Sequence, residues 1–404
     1  MKKNLIVQSA LASLLLAPNA RAQAIDEHGA STTGDIVVTA QRRSERLQDV
    51  PMAITALSSD MLEKSGVTNT TDLARVTPGV TMSFYGGFLQ PAIRGITSTG
   101  ANIGENSNVA TYIDGIYQPQ QIATLIDLPD VEQIEVLKGP QGALYGQNAT
   151  GGAILISSKS PSFTPTGKFS ASYGNYNDVQ LRGFVSGPLA SGVALSLAGA
   201  YQERDGFRRH VLTNQRDYGL KSTVVRGKLL LEPSDSARII LSGFYSDRKD
   251  SANYAGFAIN GNSIAFAPNL AGLSPFFAGI PVPASPRTVR VDQFSSEPGV
   301  FTKIRSYGGS LRGEFDIAGG TLTSSSGYFK NKINYLADVD AASPRILEAR
   351  AEPLKGEYFV HDTSFASGGT GPVSFLAGIF YLKGQETFVG NISEIFSAEP
   401  SPSC

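Results

Sequence analysis

From Thr166 onward, apolar and polar residues alternate in runs of roughly ten, the length at which a tilted strand crosses a bilayer. In GVALSLAGAYQER, Val193, Leu195, Leu197, Gly199 and Tyr201 fall on one face, and Ala194, Ser196, Ala198, Ala200 and Gln202 on the other. The same split recurs at 179–186, 225–232 and 373–381. A period of two puts alternate side chains on opposite sides of a pleated sheet, so these runs predict strands. Nine are predicted, near 167–174, 178–187, 192–204, 220–232, 236–248, 301–316, 319–332, 356–367 and 371–384. A soluble sandwich would alternate in the same way, so the connections have to separate the two cases. The second-to-third, fourth-to-fifth, sixth-to-seventh and eighth-to-ninth links are turns of two to four residues, while three others span 15, 52 and 23. Short turns on one side and long loops on the other are what an outer-membrane barrel shows, and a sandwich has no reason to sort its loops.

Ahead of the proline-flanked linker 161–165 the texture differs. Residues 50–57 (VPMAITAL) predict a strand, and Ser58 predicts the cap of a helix ending near Gly66. Residues 69–76 predict a second helix, closed by TPGV at 77–80. AIRGI (92–96), VATYIDGIYQP (109–119), 133–138 and 153–158 read as strands, and polar loops are expected at 84–90 and 97–108. Gly139, Gly142, Gly146, Gly151 and Gly152 punctuate the loop between the last two strands, where the backbone must turn sharply. This is a small mixed α/β domain.

The N-terminus has Lys2 and Lys3, an apolar run from Leu5 to Ala17, and small residues at Ala20, Ala22 and Ala24. That is the form of a secretory signal, with cleavage expected after Ala22 or Ala24. Net charge is −1, which gives no global field for nucleic acid. The only cysteine is Cys404 and the three histidines are scattered, so neither a disulfide framework nor a metal centre is expected. There is no Trp, and the 15 Tyr and 21 Phe would have to supply the interfacial girdles of a membrane barrel. No P-loop follows Lys138, because the glycine loop lacks G-K-[ST].

The stretch 127–160, DLPDVEQIEVLKGPQGALYGQNATGGAILISSKS, resembles the end of the plug domain of TonB-dependent outer-membrane receptors. TPGV, IRG, YIDGIY and IEVLKGP…LYG stand in the family's order. DIVVTAQRR (35–43) is a β-branched run able to add to a partner's sheet, and it resembles the TonB box, the family's docking strand. The resemblance implies an α+β plug domain followed by an incomplete antiparallel transmembrane β-barrel, with about 9 of an expected 22 strands present. The implied divisions are a signal peptide at 1–22, a periplasmic extension at 23–43, a plug at 44–160 and a partial barrel at 166–404. TonB would dock on Asp35, Ile36, Val37, Val38, Thr39 and Ala40. The plug motif is carried by Arg94, Gly95, Asp114, Gly115, Glu135, Lys138, Gly139, Pro140, Tyr145, Gly146 and Gly152. Buried charge is costly unless paired, so Arg94, Asp114, Glu135 and Lys138 are expected in ion pairs within the plug or against the barrel. Loops corresponding to those carrying Tyr85, Phe88, Gln90 and Asn102 touch substrate in the family.

The implied function is energy-coupled import of a scarce solute, with the plug gating the barrel. Most characterised relatives take ferric siderophores, and others take cobalamin, saccharides or aromatic compounds. The expected partners are TonB, the solute and outer-membrane lipid, without nucleic acid, cofactor or enzymatic activity. An open sheet leaves backbone groups unsatisfied in hydrocarbon, so closure would need on the order of 350 further residues. A truncated, non-functional remnant and a passive porin remain the alternatives; a porin would need neither plug nor docking strand.

Overall fold

The computed structural model describes residues 36–43, 45–85, 88–98, 107–120, 124–210, 214–251, 293–294, 299–338, 348–368 and 374–393. The expected signal segment, Asp35 and Asn102 lie outside the described residues.

Two short strands, β1 (Val37–Val38) and β2 (Glu45–Arg46), form an antiparallel ribbon that precedes the α/β domain. The domain then runs β3 (Ile54–Ser58), α1 (Ser59–Lys64), α2 (Leu73–Val76), β4 (Val80–Tyr85), β5 (Phe88–Ile93), β6 (Val109–Ile113), β7 (Ile116–Tyr117), β8 (Val131–Lys138), α3 (Gly142–Tyr145) and β9 (Gly152–Ser158). Ser58 caps α1, its Oγ accepting from Met61 N. A capping box of Asn69 and Asp72 opens the 3₁₀ turn that leads into α2. The main sheet has the order β3-β8-β9-β6-β7, with β6 and β9 parallel. Its apolar face packs Leu57, Ile134, Val136, Ile154 and Ile156 against Leu62 and Leu73 from the helices.

Asp114 (φ 48°) and Gly115 (φ 81°) make the two-residue hairpin between β6 and β7, with both central residues left-handed as a type I′ turn requires. Gly152 (φ 142°) starts β9 where a Cβ would lie 2.2 Å from Leu137 O, so only glycine fits. Gly142 and Gly151 are not left-handed. Gly142 starts α3, and Gly151 packs against Ile96 and Asn108. The stretch 84–90 is expected to be a loop, but its described residues belong to β4 and β5, which pair Tyr85 with Phe88.

The second part is one antiparallel sheet. Its strands are β10 (Thr166–Gly174), β11 (Asp178–Ala190), β12 (Val193–Arg204), β15 (Leu220–Ser234), β16 (Ala237–Asp250), β18 (Phe301–Ile317), β19 (Gly320–Asp338), β20 (Glu348–Ser367) and β21 (Leu376–Ser393), each paired with the next. Short strands β13 (Arg208–His210), β14 (Arg216–Asp217) and β17 (Gln293–Phe294) form a separate small sheet in the long connections. Nine wall strands therefore stand where the alternation puts them, but several run further. The last long connection shrinks because β19 and β20 extend to Asp338 and from Glu348, cross-strand pairing carrying them past the alternating segment. The β20–β21 link is longer than the expected tight turn, although Ser367 N still bonds Phe375 O at 2.9 Å.

The burial of this sheet is inside out for a protein in water. Leu197, Val225, Leu241 and Leu311 are about half exposed, whereas Arg226, Lys228 and Arg248 are under 8% exposed. Leucines outward and cations inward fit a wall with lipid outside and a packed polar interior. The plug domain lies against the inner face.

Three plug carboxylates meet three wall cations there. Asp130 takes Arg226 Nη1 at 2.6 Å, Asp127 takes Arg248 Nη1 at 2.9 Å, and Asp114 lies 3.2 Å from Lys228 Nζ. Ser222 Oγ also donates to Asp127, and Lys228 Nζ donates to Ser158 O at 3.0 Å. Burial pushes the Asp114 carboxyl up, but Lys228, Arg226 and two bonds from Ser158 outweigh it and hold the group below its ordinary range.

Substituting Lys228→Met leaves the partly buried Asp114 without its nearest cation. The expected cost is about 3–5 kcal/mol, read as a lowered denaturation midpoint of the full chain in detergent. Adding Asp114→Asn should recover much of that loss. A double variant no more stable than the single one would show that the pair does not hold the plug.

Candidate functional site

The segment after Ile36 is folded onto the plug. Val38 and Ala40 are fully buried, while Val37 is half exposed. Thr39 N donates to both oxygens of Glu135, at 2.9 and 3.1 Å, and Thr39 Oγ1 donates to the same carboxylate at 3.1 Å. Gln133 Nε2 donates to Val37 O at 3.0 Å. The Tyr145 hydroxyl donates to Ala40 O at 3.0 Å, and the Tyr145 ring meets Tyr112 edge-on at 5.2 Å. Burial pushes the Glu135 carboxyl and both phenols up, and in Glu135 the bonds from Thr39 oppose the shift.

Arg42 then fastens this segment to the wall. Its Nε donates to Leu144 O at 2.8 Å, and Nη1 and Nη2 reach the two oxygens of Asp362 on β20 at 2.6 and 2.9 Å. Its guanidinium lies 5.5 Å from the Tyr145 ring centre. Two parallel charge-assisted bonds plus a stacked ring fix an arginine far better than a single ion pair. Arg43 Nη2 adds a bond to Phe375 O at 2.8 Å. Asp362 and Phe375 flank the β20–β21 connection, so this segment lies at the end of the wall opposite the long loops. Among the described residues the backbone of β1 pairs in a ladder with β2 alone, and Gln133 holds Val37 O on its other side.

The sequence-predicted motif residues fall into distinct roles. Asp114 has its expected cation. Glu135 does not: its partner is Thr39, in the segment after Ile36. Among the described residues neither Arg94 nor Lys138 is in an ion pair, which corrects the expectation of pairing. Arg94 is exposed in a left-handed turn with Gly95, and burial together with the Arg94 charge holds the Lys138 ammonium below its usual value. Gly139 and Gly146 have positive φ on either side of Pro140 and α3. Arg42 and Asp362, which the sequence reading missed, lie 320 residues apart. An arginine two residues past Ala40, at the end of the β-branched run, was the available signal.

Of the residues expected near substrate, Tyr85 and Phe88 close the β4–β5 hairpin. Gln90 is 7% exposed, so its side chain is not on an open loop. Leu89 packs with Ile304, Ile333 and Leu354 of the wall, which carries the hairpin toward the long-loop end. That end has its own cluster: Arg208 lies over Tyr218 at 5.0 Å, Arg204 over Phe207 at 5.3 Å, and the two aromatic rings are 5.3 Å apart. Beside it burial pushes Asp217 up to about 6, with Asp250 adding to the shift and Tyr218 N and Arg208 opposing it. Among the described residues no group of three or more His, Cys, Asp or Glu could hold a metal.

A family model described as TonB-dependent Receptor Plug Domain matches residues 46–153. The pesticin receptor of Yersinia pestis is 32% identical over 240 residues, covering 58% of this chain and 35% of that protein. The vitamin B12 transporter of Vibrio vulnificus is 28% identical over 196 residues, 47% of this chain and 31% of that one. The chain thus spans about a third of the length of these relatives. The crystal structure of the ferric yersiniabactin uptake receptor from Yersinia pestis shares the fold, with a TM-score of 0.67 at 21% identity over 83% of this chain and 49% of that one.

Two outcomes follow from this geometry. Asp362→Ala removes both bonds to the Arg42 guanidinium, so a cysteine placed at Val37 should react with a water-soluble maleimide several-fold faster than in the parent; equal rates would mean Arg42 does not restrain the segment. Asp217 has a raised value in the folded loops, so protonation favours the folded form. The stabilisation is complete below pH about 4 and is lost as pH rises through about 6. Amide exchange at Arg209 and Tyr218 should therefore be slower at pH 5 than at pH 7.5 after correction for intrinsic rates, and Asp217→Asn should abolish the difference.

Proposed function

We propose energy-coupled import across the outer membrane for this chain, which carries the plug and nine wall strands of a TonB-dependent outer-membrane receptor. The observation that carries the reading is the docking segment. A two-residue strand with a usable edge lies at the short-turn end, held by the plug residues Glu135 and Tyr145 and tied by Arg42 to the wall. No nucleotide or ion gradient exists at an outer membrane, so work on the plug has to arrive as force through a protein. TonB would add a strand to residues 35–40, displace Gln133 and Glu135 from the backbone they hold, and pull on the plug through β8. In this reading 1–22 is an export signal, 23–43 the periplasmic handle, 44–160 the gate and 166–404 part of the channel wall.

The solute is a scarce, bulky compound, and a ferric siderophore is the class we favour. Relatives named for pesticin, vitamin B12 and ferric yersiniabactin support the general activity more firmly than any one cargo. Tyr85 and Phe88 at the hairpin end, with the Arg204–Phe207–Arg208–Tyr218 cluster, are the residues we assign to capture. Growth on candidate ferric siderophores with and without an intact locus would test the cargo; unchanged uptake of all of them would remove the iron reading.

For the handle, Val38→Pro in a receptor with a closed barrel deletes a backbone donor and cannot join a ladder. Energised uptake should fall to background while equilibrium ligand binding stays within about twofold of the parent, a change under ~0.5 kcal/mol. Transport at the parental rate would show that force enters elsewhere.

A further inference from the structure

One cavity between plug and wall gathers more positive charge than the protein answers. It lies between α1 and the residues ahead of β8 on the plug side and β10 and β11 on the wall side, with a volume of about 140 Å³. Leu62, Val67, Leu128 and Phe184, all buried, give it an apolar floor. Around it stand three cations and two carboxylates. The cations are Lys159 just past β9, Lys168 on β10 and Arg182 on β11, and the carboxylates are Glu63 and Asp130. Both carboxylates are already taken. Glu63 pairs with Lys168, and Asp130 takes Arg226 Nη1 at 2.6 Å. Lys159 and Arg182, both partly buried, have no ion pair and no side-chain hydrogen bond among the described residues. Asp72 and Asp127 act on Arg182 from beyond contact distance, and each is held by an arginine of its own, Arg75 at 2.8 Å and Arg248 at 2.9 Å.

The two unanswered cations share one side of the cavity. Lys159 Nζ lies 5.5 Å from the centre of the Phe184 ring, and Phe184, two residues from Arg182, is on the same face of β11. A ring face eases one positive charge but supplies no negative one. Like charges over an apolar floor repel with little screening, so the site calls for an anion. The donors narrow its kind. Arg182 offers a planar fork from the wall, Lys159 an ammonium from the plug, and Ser59 and Ser170 add hydroxyls with no partner among the described residues. Donors arriving from four parts of the chain suit the four oxygens of a tetrahedral anion better than the two coplanar oxygens of a carboxylate. Two uncompensated charges match a dianion. The volume is far below the ~300 Å³ at which pockets begin to enclose drug-sized ligands, so neither a peptide nor a bulky solute fits.

We propose that this cavity binds a small tetrahedral dianion, phosphate or sulfate, between Lys159 of the plug and Arg182 of the wall. The protein's own carboxylates tie the plug to β15 and β16. At β11 the facing charges of plug and wall are both positive, and the bound ion supplies the counter-charge that joins them. This rests on the packing of plug against wall and is independent of the imported solute and of TonB.

The test uses the full chain in a neutral detergent and radiolabelled inorganic phosphate, with bound label read by equilibrium dialysis at constant ionic strength. The parent should bind a single phosphate per chain, displaced by sulfate but not by acetate at the same concentration. R182Q and K159Q, one on each side of the cavity, should each weaken binding at least about tenfold, because each removes a charge-assisted contact. K249Q removes an exposed cation of β16, next to the buried Arg248 and Asp250, and should leave binding unchanged. Absence of saturable binding up to about 10 mM phosphate would overturn the proposal, on the scale where affinity falls below ~3 kcal/mol. Parental binding in both R182Q and K159Q, or an equal loss in K249Q, would mean an adventitious ion only and overturn it as well. Displacement by acetate as readily as by sulfate would remove the tetrahedral ligand. Should R182Q fail to fold, K159Q alone decides, with undiminished binding counting against the site.

Discussion

The structure depends on plug carboxylates that are buried, as Asp127 and Asp130 are, or left with little access to water, as Asp114 is. Asp114, Asp127 and Asp130 lie on connecting turns of the plug, and each is answered by a cation from β15 or β16. In an interior of this kind an unanswered charge costs several kcal/mol, so the plug has one low-energy register against this part of the wall. Asp114 shows how the requirement reaches into the sequence. Its turn needs Gly115 beside it, because the backbone there is left-handed (φ 81°), a conformation that a side chain would strain. The Asp-Gly pair therefore serves the hairpin and the interface at once.

The wall itself obeys the opposite rule to a soluble sheet. Hydrocarbon outside offers no hydrogen bonds, so every strand must satisfy its backbone by its neighbours, and the side chains sort by what each face meets. Large apolar groups go outward, and lysine and arginine go inward where the plug supplies carboxylates. At the long-loop end the outward rule changes again, from leucine to tyrosine to lysine over a few residues along β16 and β18. Such grading along a strand reports depth.

The segment after Ile36 combines two opposed demands. It is ordered by a carboxylate, a phenol and a bidentate arginine, yet the ribbon it forms is only two residues long on each side. Ladder bonds contribute little there, and side chains hold most of it. Such an attachment can be undone one contact at a time without unfolding the five-stranded plug sheet. The residues that hold it, Glu135 and Tyr145, belong to β8 and α3 of the plug, so the segment and the plug share side chains.

Much of this was readable along the chain. Period-two alternation determined nine wall strands and which face of each is apolar, because strand geometry converts adjacent positions into opposite sides. Loop lengths determined which end is which, and the glycine-bearing phrases determined a plug. Alternation could not say where β19 and β20 stop, since cross-strand pairing extends them through polar residues. It could not tell Asp114, which is answered by Lys228, from Arg94, which is exposed, because burial depends on what a distant segment brings. The same holds for Arg42 and Asp362, which no local pattern connects. Local backbone chemistry determined the elements; the tertiary structure decided the partners, because charge and solvent access are properties of surfaces that meet only after folding.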